Sequence, residues 1–133
     1  MTKCGRTVLL ARLVAACSRA GTDSSSRAQP LDGSTYAVSL TPEGQSAMKD
    51  ELIFSNGRFE STVCTKAGFE KAQYTTRLVA GGVAFDAQCD SAEYGHNEWH
   101  GVAQGDRISG TVVRTPKGGG TLISSTFSGD RVK

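Results

Sequence analysis

Short runs of alternating apolar and polar residues recur along this chain, bounded by glycine, asparagine or aspartate, and a period of two predicts strands rather than helices. The clearest case is "ELIFSNGRFEST", where Asn56-Gly57 offers the two positive-φ positions of a type I′ turn. That turn sets Ser55 opposite Arg58, Phe54 opposite Phe59 and Leu52 opposite Ser61, so both phenylalanines share one face. In "TTRLVAGGVAFDAQ" a turn at Gly81-Gly82 is expected to pair Leu78 with Phe85 and Thr76 with Ala87 inward, with Arg77 facing Asp86 outside. A third turn, at Gly105-Asp106, pairs Ala103 with Ile108, Gly101 with Gly110 and Trp99 with Val112.

With "STYAVSL" before these hairpins and "TLISSTFSG" after them, eight strands are predicted: 35–40, 50–55, 58–63, 72–80, 83–88, 97–104, 107–114 and 121–129. Eight short antiparallel strands in sequence order suit an all-β, up-and-down β-barrel of lipocalin-like type, which leaves no open sheet edge. A two-sheet sandwich is the alternative. In a meander the connections alternate between the two ends, so the long ones, "TPEGQSAMKD", "CTKAGFEK", "CDSAEYGH" and "TPKGGG", should share one rim. Loops on a rigid barrel are where binding residues concentrate. The chain should enter the barrel from the other, tight-turn rim.

Composition agrees with one small module. The chain has 133 residues, with 16 glycines against 3 prolines, as many tight turns require. Its 15 basic and 13 acidic residues leave a formal charge of +2, and no basic run marks a phosphate track, so nucleic acid is not an expected partner. The start is different in kind. "MTKCGR" is basic, "TVLLARLVAA" is short and mostly apolar, and the pair reads as a secretory signal over residues 1–16. From Ser18 to Pro30 no apolar residue exceeds alanine in size, which describes a tether over residues 17–30 ahead of a barrel domain at 31–133.

Within that start, "LVAAC" resembles the lipobox of bacterial lipoproteins, although Arg12 interrupts the apolar run. The resemblance implies cleavage before Cys17, a lipid on its sulfur, and, from Ser18, an outer-membrane site facing the periplasm. Together with "NGRF", "WHG" and "GDRISG" in the meander, the chain resembles small lipocalin-like (calycin-type) bacterial envelope lipoproteins. Bacterial lipoprotein lysozyme inhibitors share that plan. "SGTVVRTPKGG" is only a loose echo of their inhibitory motifs, so no active residues carry over.

The remaining chemistry is sparse. Cys64 and Cys89 end the third and fifth predicted strands at the long-loop rim, and an oxidising envelope permits a disulfide between them. In full register they would stand about 10 Å apart, beyond the roughly 7 Å that a bond tolerates, so the loops would have to bend together. His96, Glu98 and His100 alternate with inward Trp99 and so face outward, where they form a solvated row more readily than a metal site. No nucleophile elbow, H-E-x-x-H or fixed nucleophile and base is present, so neither catalysis nor a cofactor is expected. What remains is a monomeric binding or interaction module working through the long-loop rim, with Lys66, Phe69, Tyr94, His96 and Trp99 as candidate contacts to a protein partner, a hydrolase among the possibilities. The alternative is a carrier of a small hydrophobic ligand inside the barrel. Against the carrier stands an interior expected to be full, with Phe54, Phe59, Phe85, Trp99 and Phe127 inward.

The lipobox reading has its own test. In a bacterial host the protein should incorporate labelled fatty acid and partition into detergent, and Cys17→Ser should abolish both; unchanged partitioning of that variant would remove the anchor.

Overall fold

In a computed structural model that describes residues 30–133, eight antiparallel strands close into a barrel in sequence order. They are β1 (Ser34–Pro42), β2 (Met48–Ser55), β3 (Arg58–Ser61), β4 (Ala72–Val79), β5 (Gly82–Ser91), β6 (Gly95–Gln104), β7 (Arg107–Pro116) and β8 (Ile123–Arg131), with one short helix, α1 (Thr62–Lys66), between β3 and β4. This is the barrel that the alternation predicts. Closure comes from β1 and β8, which pair from Tyr36 opposite Arg131 to Pro42 opposite Ser125 and so leave neither strand as an edge. The expected signal, Cys17 and the tether up to residue 29 lie outside the described residues.

Two of the three hairpins have the expected register. Asn56 and Gly57 both hold positive φ, 55° and 76°, and Phe54 faces Phe59. Trp99 faces Val112 and Gly101 faces Gly110. The hairpin between them is shifted by two residues: Val79 pairs with Gly82 and Thr76 with Phe85, so the turn is Ala80-Gly81. The neighbouring strand explains the shift. A Cβ at Gly82 would lie 2.3 Å from the Ala103 carbonyl, so this glycine is needed inside the sheet against β6, and Gly81, at φ +79°, makes the turn. An even shift preserves the faces, and Phe85 and Ala87 stay buried. Leu78, expected inward, instead projects past the covered part of the sheet and is 82% exposed. Arg77 still reaches Asp86, at 2.8 Å, along the diagonal.

The middle of the barrel is an aromatic layer. Phe54 lies 5.0 Å from Tyr74 and Phe85 and 5.2 Å from Phe59 between ring centres, and Phe59 continues the contact to Trp99 at 5.0 Å. Trp99 then meets Phe127 at 5.4 Å. The glycine step beside it exists to make room for these rings. A Cβ on Gly101 would come within 2.6 Å of Phe85 and 2.9 Å of Phe127. One on Gly110 would lie 2.1 Å from the His100 carbonyl oxygen and 2.8 Å from Phe127. The space left inside by two missing side chains is filled by phenyl rings.

The tight-turn end is closed by the chain as it enters. Leu31 is buried there, and the Asp32 carboxylate accepts the Gly57 N–H at 3.0 Å and the Tyr74 hydroxyl at 2.7 Å. Burial together with this acidic partner raises the Tyr74 phenol well above its ordinary range. At the other end, β3 stops at Ser61 instead of running to residue 63 as expected. Buried Asp50 is the cause: its carboxylate accepts the Val63 N–H at 3.0 Å and the Thr62 hydroxyl at 2.9 Å, and is bonded to the Ser61 hydroxyl as well. Ser61 in turn caps the helix by accepting the Cys64 N–H at 3.3 Å. A run of β-branched residues is thereby wound into one turn of helix.

Because the Gly110 clash is with backbone, Gly110→Ala should cost about 1–3 kcal/mol of stability, whereas Ser109→Ala, next along the same strand, should stay within about 0.5 kcal/mol. Urea unfolding followed by the fluorescence of Trp99, the sole tryptophan, measures both.

Candidate functional site

Towards the long-loop end the aromatic layer stops at Trp99, and beyond it lies a cavity of about 340 Å³. Its walls are the loop-end residues of several strands. Leu40 comes from β1, Met48 from β2, Asn97 from β6, Val112 and Arg114 from β7 and Ile123 from β8, with Val63 and Cys64 of α1 closing one side and Tyr94 at the rim. The lining is mostly apolar, and Arg114 is its only charged member. All of the longer connections, including α1, gather at this end, as the meander requires.

Asn97 organises the polar side of the wall. It stands opposite Cys89 on β5 and opposite Arg114 on β7. Its side chain is buried, the amide donating to the Cys64 sulfur at 3.4 Å and the carbonyl accepting the Arg114 Nε–H at 3.1 Å. The Arg114 guanidinium also lies 4.8 Å over the Phe69 ring, and Phe69 stacks on Tyr94 at 6.5 Å. Trp99 is fully buried, and its Nε1 is the buried side-chain nitrogen among the described residues that has no hydrogen-bond partner.

The sequence-derived candidates separate here. Tyr94 and Trp99 line the cavity. Phe69 does not stand out from its loop as a contact for a partner: it is buried beneath Arg114. Lys66 is exposed at the end of α1 and His96 points outward, and neither lines the cavity. Asn97 and Arg114 were not among the candidates, although the register that sets Trp99 against Val112 also turns both of them inward.

The outward row is a ladder of histidine–carboxylate contacts. His96 donates through Nδ1 to Asp90 at 2.7 Å, and His100 is bonded in the same way to Asp86, both aspartates coming from β5. Glu98 lies between, its oxygens 3.8 Å from His96 Nε2 and 4.0 Å from His100 Nε2. His100 and Arg77 together hold the Asp86 carboxyl below its usual range. Among the described residues no group of three or more His, Cys, Asp and Glu side chains is placed to hold a metal ion.

The expected disulfide is replaced by two buried free thiols. Cys64 is carried on α1, not on a strand end free to bend, and it is fixed there: its carbonyl accepts the Ala67 and Phe69 N–H groups at 2.9 Å, and its sulfur accepts from Asn97. Burial raises the Cys64 thiol, partly offset by the Ser61 hydroxyl, and pushes the Cys89 thiol up to about 12. Compared with protein families, with curated proteins and with solved structures, the chain gives no match in any of the three.

Two measurements follow from the thiols. Alkylation mapped by mass spectrometry should leave Cys64 and Cys89 unmodified in the native state and modify both in denaturant without reductant; a disulfide would leave both unmodified there. An unfolded thiol ionises near pH 8.5 while Cys89 keeps its proton until about pH 12, so the native state binds more protons through that interval. Stability should therefore decline as pH rises across it, and less steeply in Cys89→Ser.

Proposed function

We propose that this barrel is a binding module, not an enzyme, and that it takes the apolar part of a small molecule into the cavity at its long-loop end. The observation that carries the reading is the cavity itself, of about 340 Å³, within the range of roughly 300–1,000 Å³ of small-molecule sites. Apolar wall left in contact with water forgoes about 25 cal/mol per Å², a loss that a small domain sustains poorly and that a ligand would recover. The rim supports the same reading, since Met48, Tyr94 and Ile123 are 39%, 44% and 41% exposed where they border the opening. A protein partner inserting an apolar side chain is the second reading, favoured by Leu122, also 55% exposed, beside Ile123. The lipobox at Cys17 adds a proposed anchor in the bacterial envelope. Residue 30 joins the barrel at the end opposite the cavity, so a tether there would leave the mouth free.

The test uses the Cys17→Ser chain, which cannot take a lipid and so needs no competing detergent. N-phenyl-1-naphthylamine should bind saturably, about one per barrel, and quench Trp99. Ser125→Phe, placed in the cavity wall, should keep the thermal unfolding transition and lose most of that binding. Unsaturable or unchanged binding in the variant would sink the proposal.

A further inference from the structure

Resting on the cavity as the binding site, we infer that its ligand is an amphiphilic carboxylate, with its anionic head held by Arg114 and its apolar body against Leu40, Val112 and Ile123. Two observations meet in this assignment. Arg114 is the only charged side chain in the cavity wall and, among the described residues, it forms no salt bridge with a carboxylate. Its neighbours use it only in part. Asn97 takes the Nε–H, Phe69 lies under the guanidinium plane and the Cys64 thiol is a further neighbour, but no carboxylate meets the fork that matches one.

Arg114 is two residues beyond Val112 on the same face of β7, so a head group on the first and an apolar body on the second would meet one continuous wall. A cationic head would meet Arg114 with like charge, and a neutral alcohol would leave the guanidinium unmatched.

The experiment reads displacement of N-phenyl-1-naphthylamine from the Cys17→Ser chain by octanoate, octanol and octylammonium, which share a tail and differ in charge. Octanoate should displace the probe at a concentration about tenfold or more below that of octanol, as one charge-assisted hydrogen bond implies, and octylammonium should be the weakest of the three. In Arg114→Met, which keeps an apolar stem, octanoate should fall to the level of octanol while the probe still binds. Equal displacement by octanoate and octanol in the parent chain overturns the inference, and so does a preference that survives Arg114→Met. Should the variant not fold, the three ligands on the parent chain decide the matter alone. Absence of saturable probe binding would overturn the cavity reading and this inference with it, whereas saturable binding without preference for the anion overturns the inference only.

Discussion

An eight-stranded barrel has an interior just wide enough for side chains to meet across it, and that limit governs every inward position in this chain. Six large aromatic side chains cannot share the middle unless other inward positions are empty, which is why Gly101 and Gly110 face each other where Phe85 and Phe127 converge. The same crowding acts at the seam. A Cβ on Gly129 would lie 1.9 Å from the Ala37 carbonyl oxygen, so β8 can approach β1 closely only because it carries a glycine there. Beyond Trp99, towards the long loops, Asn97 and Arg114 take inward strand positions, and the rings there, Phe69 and Tyr94, come from loops. The cavity begins where the strands stop supplying rings.

Polar groups inside a barrel are tolerable when they are paired, and how completely they are paired separates scaffold from site. The Asp50 carboxylate accepts from the Glu51 and Val63 N–H groups and from two hydroxyls, and Asp32 accepts from Gly57 and Tyr74. Both are fully engaged, and both act on the fold, one by winding α1 and the other by locking the entering chain to the first hairpin. Asn97 is likewise committed at both ends of its amide. Arg114 differs because, among the described residues, no carboxylate pairs with it, and it stands in the wall of the apolar cavity. An unmatched cation beside an apolar void is what a preorganised anion site needs and what a purely structural network would avoid.

The strands and most of their register were legible because each turn carries its own chemistry: Asn56-Gly57 and Gly105-Asp106 fix which residues face inward without reference to anything distant. The middle hairpin offered two glycines, and the choice between them depended on the approach of β6 to Gly82, which no local pattern records. Helix α1 was illegible for a similar reason. Its residues continue the strand pattern, and it is Asp50, from the preceding strand, that turns them. The cavity wall was partly within reach, since extending the Trp99 and Val112 pairing by two residues brings Asn97 and Arg114 inward. Reading inwardness only from apolar residues conceals such a pair. Phe69, an aromatic residue in a loop, fits either an exposed anchor or a plug folded over the barrel end, and its burial beneath Arg114 favours the second.

The two ends of the barrel are chemically unlike, and the difference originates in loop length. Turns of two residues bring no chain to cover an opening, so the tight-turn end must be sealed by something else, and Leu31 with the Asp32 lock does so at the point where the chain enters. Longer connections at the opposite end supply a helix, Tyr94 and the segment before Ile123, enough to build a rim but not to fill the space behind it. A binding site placed at the sealed end would compete with the lock that sets the first hairpin. At the open end, rim residues can change without disturbing the aromatic layer, because Trp99 and Phe127 already separate the two regions. The sealed end and the open end are thus held apart by one layer of rings.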